Sequence, residues 1–81
     1  MYKTDILLSD IETVKKFVSL TSQYDFPVTL YSDKYVISGK SIMGIFGLDL
    51  SIPLKVEVPV NCPADFIEKL KEFAVPVQVN A

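Results

Sequence analysis

Gly39-Lys40-Ser41 is the most suggestive run in this 81-residue chain, because a phosphate-binding loop ends in Gly-Lys-Ser or Gly-Lys-Thr. That loop also needs a glycine five positions before its Lys-adjacent glycine, and Lys34 stands there, so the nucleotide-loop reading fails on its own spacing. Ser41 keeps two other readings. As a helix N-cap it contributes about 1 kcal/mol; as a modification site it offers a hydroxyl beside Lys40, where free backbone N–H groups and a cation would welcome a phosphate. The carboxylates Asp10 and Glu12 lie two apart at a helix start, face different directions and fit capping better than acid-base work. Cys62 precedes the last helix, where a helix terminus can lower a thiol pKa, but no histidine stands beside it and a structural cysteine fits better.

The chain has no histidine and no arginine. The first absence removes the commonest general base, the commonest metal ligand and every Ser-His or Cys-His pair. The second removes the bidentate fork used for phosphate and nucleic acid. A formal charge of -2, with lysines scattered singly apart from Lys15-Lys16, gives no footprint for a phosphate backbone. One cysteine without an internal partner fits a reduced, cytoplasmic setting, and the N-terminal residues show neither signal peptide nor membrane span. A chain of this length predicts one domain over residues 1–81, with a thin core and no enclosed active-site cavity. No catalytic residue, cofactor or metal site is expected.

The elements that must hold these residues follow from period and punctuation. An apolar run at residues 6–8 predicts a first strand. Ser9 with Glu12 makes a capping-box pattern for a helix whose stripe is Ile11, Val14, Phe17, Val18 and Thr21. After Pro27, residues 28–31 and 35–37 read as a hairpin about a turn at residues 32–34. Ser41 caps a short helix that ends at Gly47. Too short to bury Ile42, Met43, Ile45, Phe46 and Leu48 together, it must turn some of them to water as a partner surface. Leu54, Val56 and Val58 alternate with Lys55 and Glu57, which predicts a strand with one solvated face. Pro63 opens a last helix with the stripe Phe66, Ile67, Leu70, Phe73 and Ala74 and an Asp65–Lys69 pair, and Pro76 ends it. Residues 75–79 alternate like an edge strand. Strand, helix, strand, strand, short helix, strand, helix predicts an α+β two-layer sandwich, with three helices on one face of an antiparallel sheet and Tyr31, Lys55 and Glu57 on the open face.

The run Lys40-Ser41-Ile42-Met43-Gly44-Ile45-Phe46-Gly47-Leu48 resembles the regulatory-serine segment of the HPr family, the histidine-containing phosphocarriers of the bacterial sugar phosphotransferase system. The resemblance extends from about Tyr2 to Ala74 and implies the HPr-like open-faced β-sandwich, strand order 1-4-2-3. HPr depends on a His-x-Arg-Pro signature at its first helix. Counting back from Ser41, those positions are Asp10, Glu12 and Thr13, a degenerate phosphohistidine site in which Glu12 turns an anion site into an anion-repelling one. Sugar-linked phosphotransfer is therefore rejected as the function, and a carrier working through an aspartyl phosphate at Asp10, though chemically possible, is the least favoured of three readings.

HPr paralogues that lack the histidine and keep the serine act as regulators: a kinase/phosphorylase modifies the serine, and the phosphoprotein binds a transcription regulator through the short helix. The resemblance thus implies a non-catalytic regulatory or adaptor protein of carbon metabolism, with Ser41 as phosphoacceptor, Lys40 beside it and Ile42, Met43 and Phe46 as docking patch. It would be monomeric or weakly dimeric, with protein partners and neither nucleic acid nor membrane. The alternative is a structural or protein-interaction domain that kept the fold without phosphate chemistry. The tail, residues 75–81, departs from the family by breaking the last helix early.

Overall fold

The computed structural model describes residues 2–75. β1 (Tyr2–Ile6), α1 (Ile11–Thr21), β2 (Thr29–Tyr31), β3 (Val36–Ser38), α2 (Ile42–Phe46), β4 (Leu54–Val58) and α3 (Ala64–Leu70) follow in order, with a 3-10 turn at Lys71–Phe73. The sheet order is β1-β4-β2-β3 and all three pairings are antiparallel. This is the predicted α+β arrangement of four strands and three helices.

Period-two alternation sets the sheet's two faces. Leu54, Val56 and Val58 of β4 are buried together with Ile6 of β1 and Leu30 of β2. They meet Val14, Phe17 and Leu20 of α1, Ile45 of α2 and Phe66 and Leu70 of α3 in one core. Each such large side chain contributes about 1.5–3 kcal/mol when fully buried. The open face is polar and paired: the Tyr31 hydroxyl donates to Glu57 at 2.6 Å, Lys3 lies 3.5 Å from Glu57 and Lys55 lies 3.6 Å from Asp5.

Several local expectations are corrected. The first strand covers Tyr2–Ile6 and not residues 6–8, because its residues pair one for one with β4 from Tyr2–Val58 to Ile6–Leu54. Asp10, not Ser9, caps α1: its carboxylate accepts the Thr13 N–H at 2.7 Å, which places Thr13 where the capping box needed Glu12. Ile11 therefore lies at the helix start, 59% exposed, and Leu20 completes the buried stripe. α3 stops at Leu70 and the chain tightens into the 3-10 turn, so Ala74 is exposed and bridges to Ile6 instead of joining the buried stripe. Asp65 accepts the Tyr24 hydroxyl at 2.8 Å, and the ion pair at this helix's end joins Glu68 to Lys71. Val75 donates to the Asp5 carbonyl; the rest of the strand reading for residues 75–79 falls outside the described residues. Among those residues, no helix is long and apolar enough to cross a membrane.

Two clamps position the segment that leads into α2. The loop after α1 is stacked on α3: Tyr24, Phe26 and Phe66 form a mutual aromatic trio with ring centroids 4.9–5.4 Å apart. Gly39 is fixed to the same region, its N–H donating to the Val28 carbonyl at 2.7 Å and its carbonyl accepting from the Thr21 hydroxyl at 2.9 Å.

Candidate functional site

Ser41 occupies the N-cap of α2 in extended geometry, with φ -98° and ψ 98°. Its Oγ accepts the Gly44 N–H at 3.2 Å and its carbonyl accepts the Ile45 N–H at 3.0 Å. The residue is exposed. No described side chain hydrogen-bonds the hydroxyl, so it has no base of its own, and any chemistry at it must come from a partner that supplies one. This is the cap read from the sequence.

Lys40 is placed differently from a free cation waiting at the serine. Its Nζ donates to the Tyr24 carbonyl at 2.6 Å, and its backbone N–H donates to Ser38 Oγ at 3.2 Å. The side chain is half-buried and helps hold the loop after α1. Nothing in the spacing of Lys40 signals this bond, because Tyr24 lies 16 residues earlier.

The five residues of α2 divide as its brevity requires. Ile45 is fully buried and anchors the helix, while Ile42 is half-buried against the core. Met43 is 77% exposed and Phe46 39% exposed. Gly44 lies on the serine side, where a Cβ would come within 3.0 Å of Ser41 Oγ. α1 packs against α2, and its exposed Ile11 adds a third large apolar side chain to this pair of helices, one the predicted buried stripe had hidden.

At the other candidate position, Asp10 is engaged as the α1 cap. Hydrogen bonding by Thr13, side chain and backbone, holds the Asp10 carboxyl below the usual carboxylate range; desolvation opposes this and Lys16 adds a smaller lowering. Glu12 is exposed in the first turn. The site therefore carries two carboxylates, one of them committed to a backbone N–H, and Thr13 supplies the N–H that the cap uses. Ser41 and this cluster sit at the heads of two helices that pack together, α2 and α1. Cys62 is half-buried in a turn closed by its N–H on the Pro59 carbonyl at 3.2 Å, outside α3. Among the described residues no group of three His, Cys, Asp or Glu side chains could hold a metal ion. An open groove of about 370 Å³ lies between Thr13, Lys16 and Leu20 of α1 and Lys69, Glu72 and Phe73, and includes neither Ser41 nor Asp10.

No family model and no curated protein matches this sequence. Solved structures do match in three dimensions. The crystal structure of HPr-C-His from Thermoanaerobacter tengcongensis superposes with a TM-score of 0.70 at 20% identity, over 89% of this chain and 89% of that one. The phosphocarrier protein HPr from Bacillus anthracis str. Ames superposes with a TM-score of 0.69 at 17% identity, over 91% of this chain and 96% of that one. The chain thus has the HPr fold across nearly its whole length.

Proposed function

We propose that this chain, built on the HPr fold, is a non-catalytic regulatory or adaptor protein of carbon metabolism, in which Ser41 is the acceptor of a regulatory phosphate and the face of α2 bearing Ile42, Met43 and Phe46 is the docking patch. The observation that carries the reading is the contrast between two helix heads. At α2 an exposed serine hydroxyl caps a helix that turns Met43 and Phe46 to solvent. At α1, by the resemblance to the HPr signature, the phosphohistidine position falls on Asp10 and that of the phosphate-binding arginine on Glu12. A doubly negative phosphoryl group is unwelcome beside two carboxylates. On the Ser41 hydroxyl it would meet instead the unpaired N–H groups that begin α2.

The test is to incubate the protein with ATP and an HPr kinase from a bacterium, then weigh the product. Addition of one phosphate that Ser41→Ala abolishes supports the proposal; an unmodified protein removes the switch. The second reading, a protein-interaction domain free of phosphate chemistry, draws support from Lys40, whose ammonium is engaged by the Tyr24 carbonyl. It predicts partners that are lost with Met43→Ala and Phe46→Ala and retained with Ser41→Asp.

A further inference from the structure

The backbone of β1 turns one edge to β4 and the other outward. Leu7 N–H donates to the Phe73 carbonyl at 2.9 Å and Val75 N–H donates to the Asp5 carbonyl at 3.3 Å. By the alternation of a strand, the outward groups belong to Lys3, Asp5 and, just past the strand's end, Leu7. The chain's own residues 73–75 occupy the Leu7 N–H and the Asp5 carbonyl, and no described residue meets the outward groups of Lys3.

We propose that this edge docks a second copy of the chain, β1 pairing antiparallel with β1 about a two-fold axis at Thr4. An antiparallel pair that uses the outward groups can centre on Lys3, Thr4 or Asp5. Centring on Lys3 sets lysine against lysine, and centring on Asp5 sets aspartate against aspartate, both repulsive. Centring on Thr4 sets Lys3 of each copy opposite Asp5 of the other, in two hydrogen-bonded pairs. Thr4 then faces Thr4, and Tyr2 faces Ile6.

The open face of the sheet supports that register beyond the edge itself. Within one copy Lys3 pairs with Glu57 across β1 and β4, and Asp5 pairs with Lys55. Across the joined sheets the row becomes Glu57, Lys3, Asp5 of the second copy and Lys55 of the second copy, alternating in sign over four strands. The two-fold repeats the row in reverse. Tyr2-Lys3-Thr4-Asp5-Ile6 is thus charge-complementary to its own reversal.

The competitor for this edge is also visible. Pairing in the Thr4 register puts Tyr2 of the second copy where Ala74 bridges to Ile6 and needs the Asp5 carbonyl, which the Val75 N–H holds at 3.3 Å, so residues 73–75 must leave the edge and the Leu7–Phe73 bond opens with them. Residues 73–75 therefore act as a guard that two backbone hydrogen bonds keep in place. Val75→Pro deletes the Val75 donor, and Ala74, at φ -60° and ψ 146°, already has the backbone that a following proline requires.

Sedimentation equilibrium of the full chain at low salt tests the interface. We expect a weak reversible dimer whose dissociation constant falls about thirtyfold with Val75→Pro, because each of the two copies loses one competing hydrogen bond. Lys3→Glu and Asp5→Lys should each weaken self-association about tenfold, while an equimolar mixture of the two recovers it, because only the mixed pair has opposite charges at both contacts. In a mixed isotope-labelled sample of the parent, an intermolecular nuclear Overhauser contact between Thr4 α-protons should appear. The proposal is overturned if parent and Val75→Pro both stay monomeric at millimolar concentration, if the charge variants associate as well alone as mixed, or if the dimer contact lies away from Thr4. Should a charge variant unfold, the Thr4 contact in the parent decides.

Discussion

The Thr21 hydroxyl, fully buried at the end of α1, donates to the carbonyl of Gly39 at 2.9 Å, two residues before the exposed Ser41. It also lies 3.1 Å from the Val18 carbonyl within its own helix. One hydroxyl thus ties the last turn of α1 to the segment that starts α2. Thr21→Val keeps the shape of the side chain and removes the donor, leaving the Gly39 carbonyl without it. A loss of about 1–3 kcal/mol in urea unfolding is expected, with m unchanged.

Gly39 is equally constrained from the other side. A Cβ there would stand 2.6 Å from Val28 Cγ1 and 3.4 Å from Phe17 Cε2, both buried and one β-branched. Gly39→Ala should therefore destabilise by about 1–3 kcal/mol through overpacking, even though no positive φ is involved. Thermal unfolding followed by circular dichroism would read it; a melting point equal to the parent's would show that Val28 can move aside.

The five-residue helix offers a contrast between neighbours. Ile45→Ala empties a fully buried site and should cost about 2–5 kcal/mol. Met43→Ala, two positions away and mostly in water, should change stability by no more than about 0.5 kcal/mol. Ser41→Ala removes the cap on Gly44 N–H and should cost about 1 kcal/mol. Chemical denaturation of the three variants tests the assignment of one face to the core and the other to solvent.

The Tyr31–Glu57 pair on the open sheet face predicts a pH profile. The Tyr31 hydroxyl bond lowers the Glu57 carboxyl, with Lys3 contributing, and the same bond raises the Tyr31 phenol. Glu57 therefore stabilises the fold above the unfolded carboxylate value of about 4.3, and that contribution is lost as pH falls through its lower folded value. Tyr31 stabilises it below the unfolded phenol value of about 10, a contribution lost as pH rises through its raised folded value. Tyr31→Phe should flatten both limbs of the stability curve; an unchanged acid limb would assign the lowering of Glu57 to Lys3 alone.

Legibility in the sequence followed the range of the interaction. The alternation of Leu54, Val56 and Val58 and the cap at Ser41 are written within a few residues, and both stand in the structure. The choice between Ser9 and Asp10 as the α1 cap is not, because both are good cap residues and only the bond to Thr13 separates them. The end of α3 depended on a distant partner: Phe73 meets the Phe17 ring edge-on at 5.5 Å while its carbonyl is drawn to Leu7, and the helix tightens to allow both. The Lys40–Tyr24 and Thr21–Gly39 bonds span 16 and 18 residues and leave no local pattern.

The strand order also governs how the chain can be made. β1 precedes the other described strands in the chain, yet its neighbour among them is β4, residues 54–58, and β4 in turn is the strand that joins β1 to the β2–β3 hairpin. During synthesis the hairpin can close locally, while Tyr2–Ile6 waits unpaired until more than fifty further residues have left the exit tunnel. Completion of the sheet is therefore a late, nearly all-or-none event, set by the emergence of one five-residue strand.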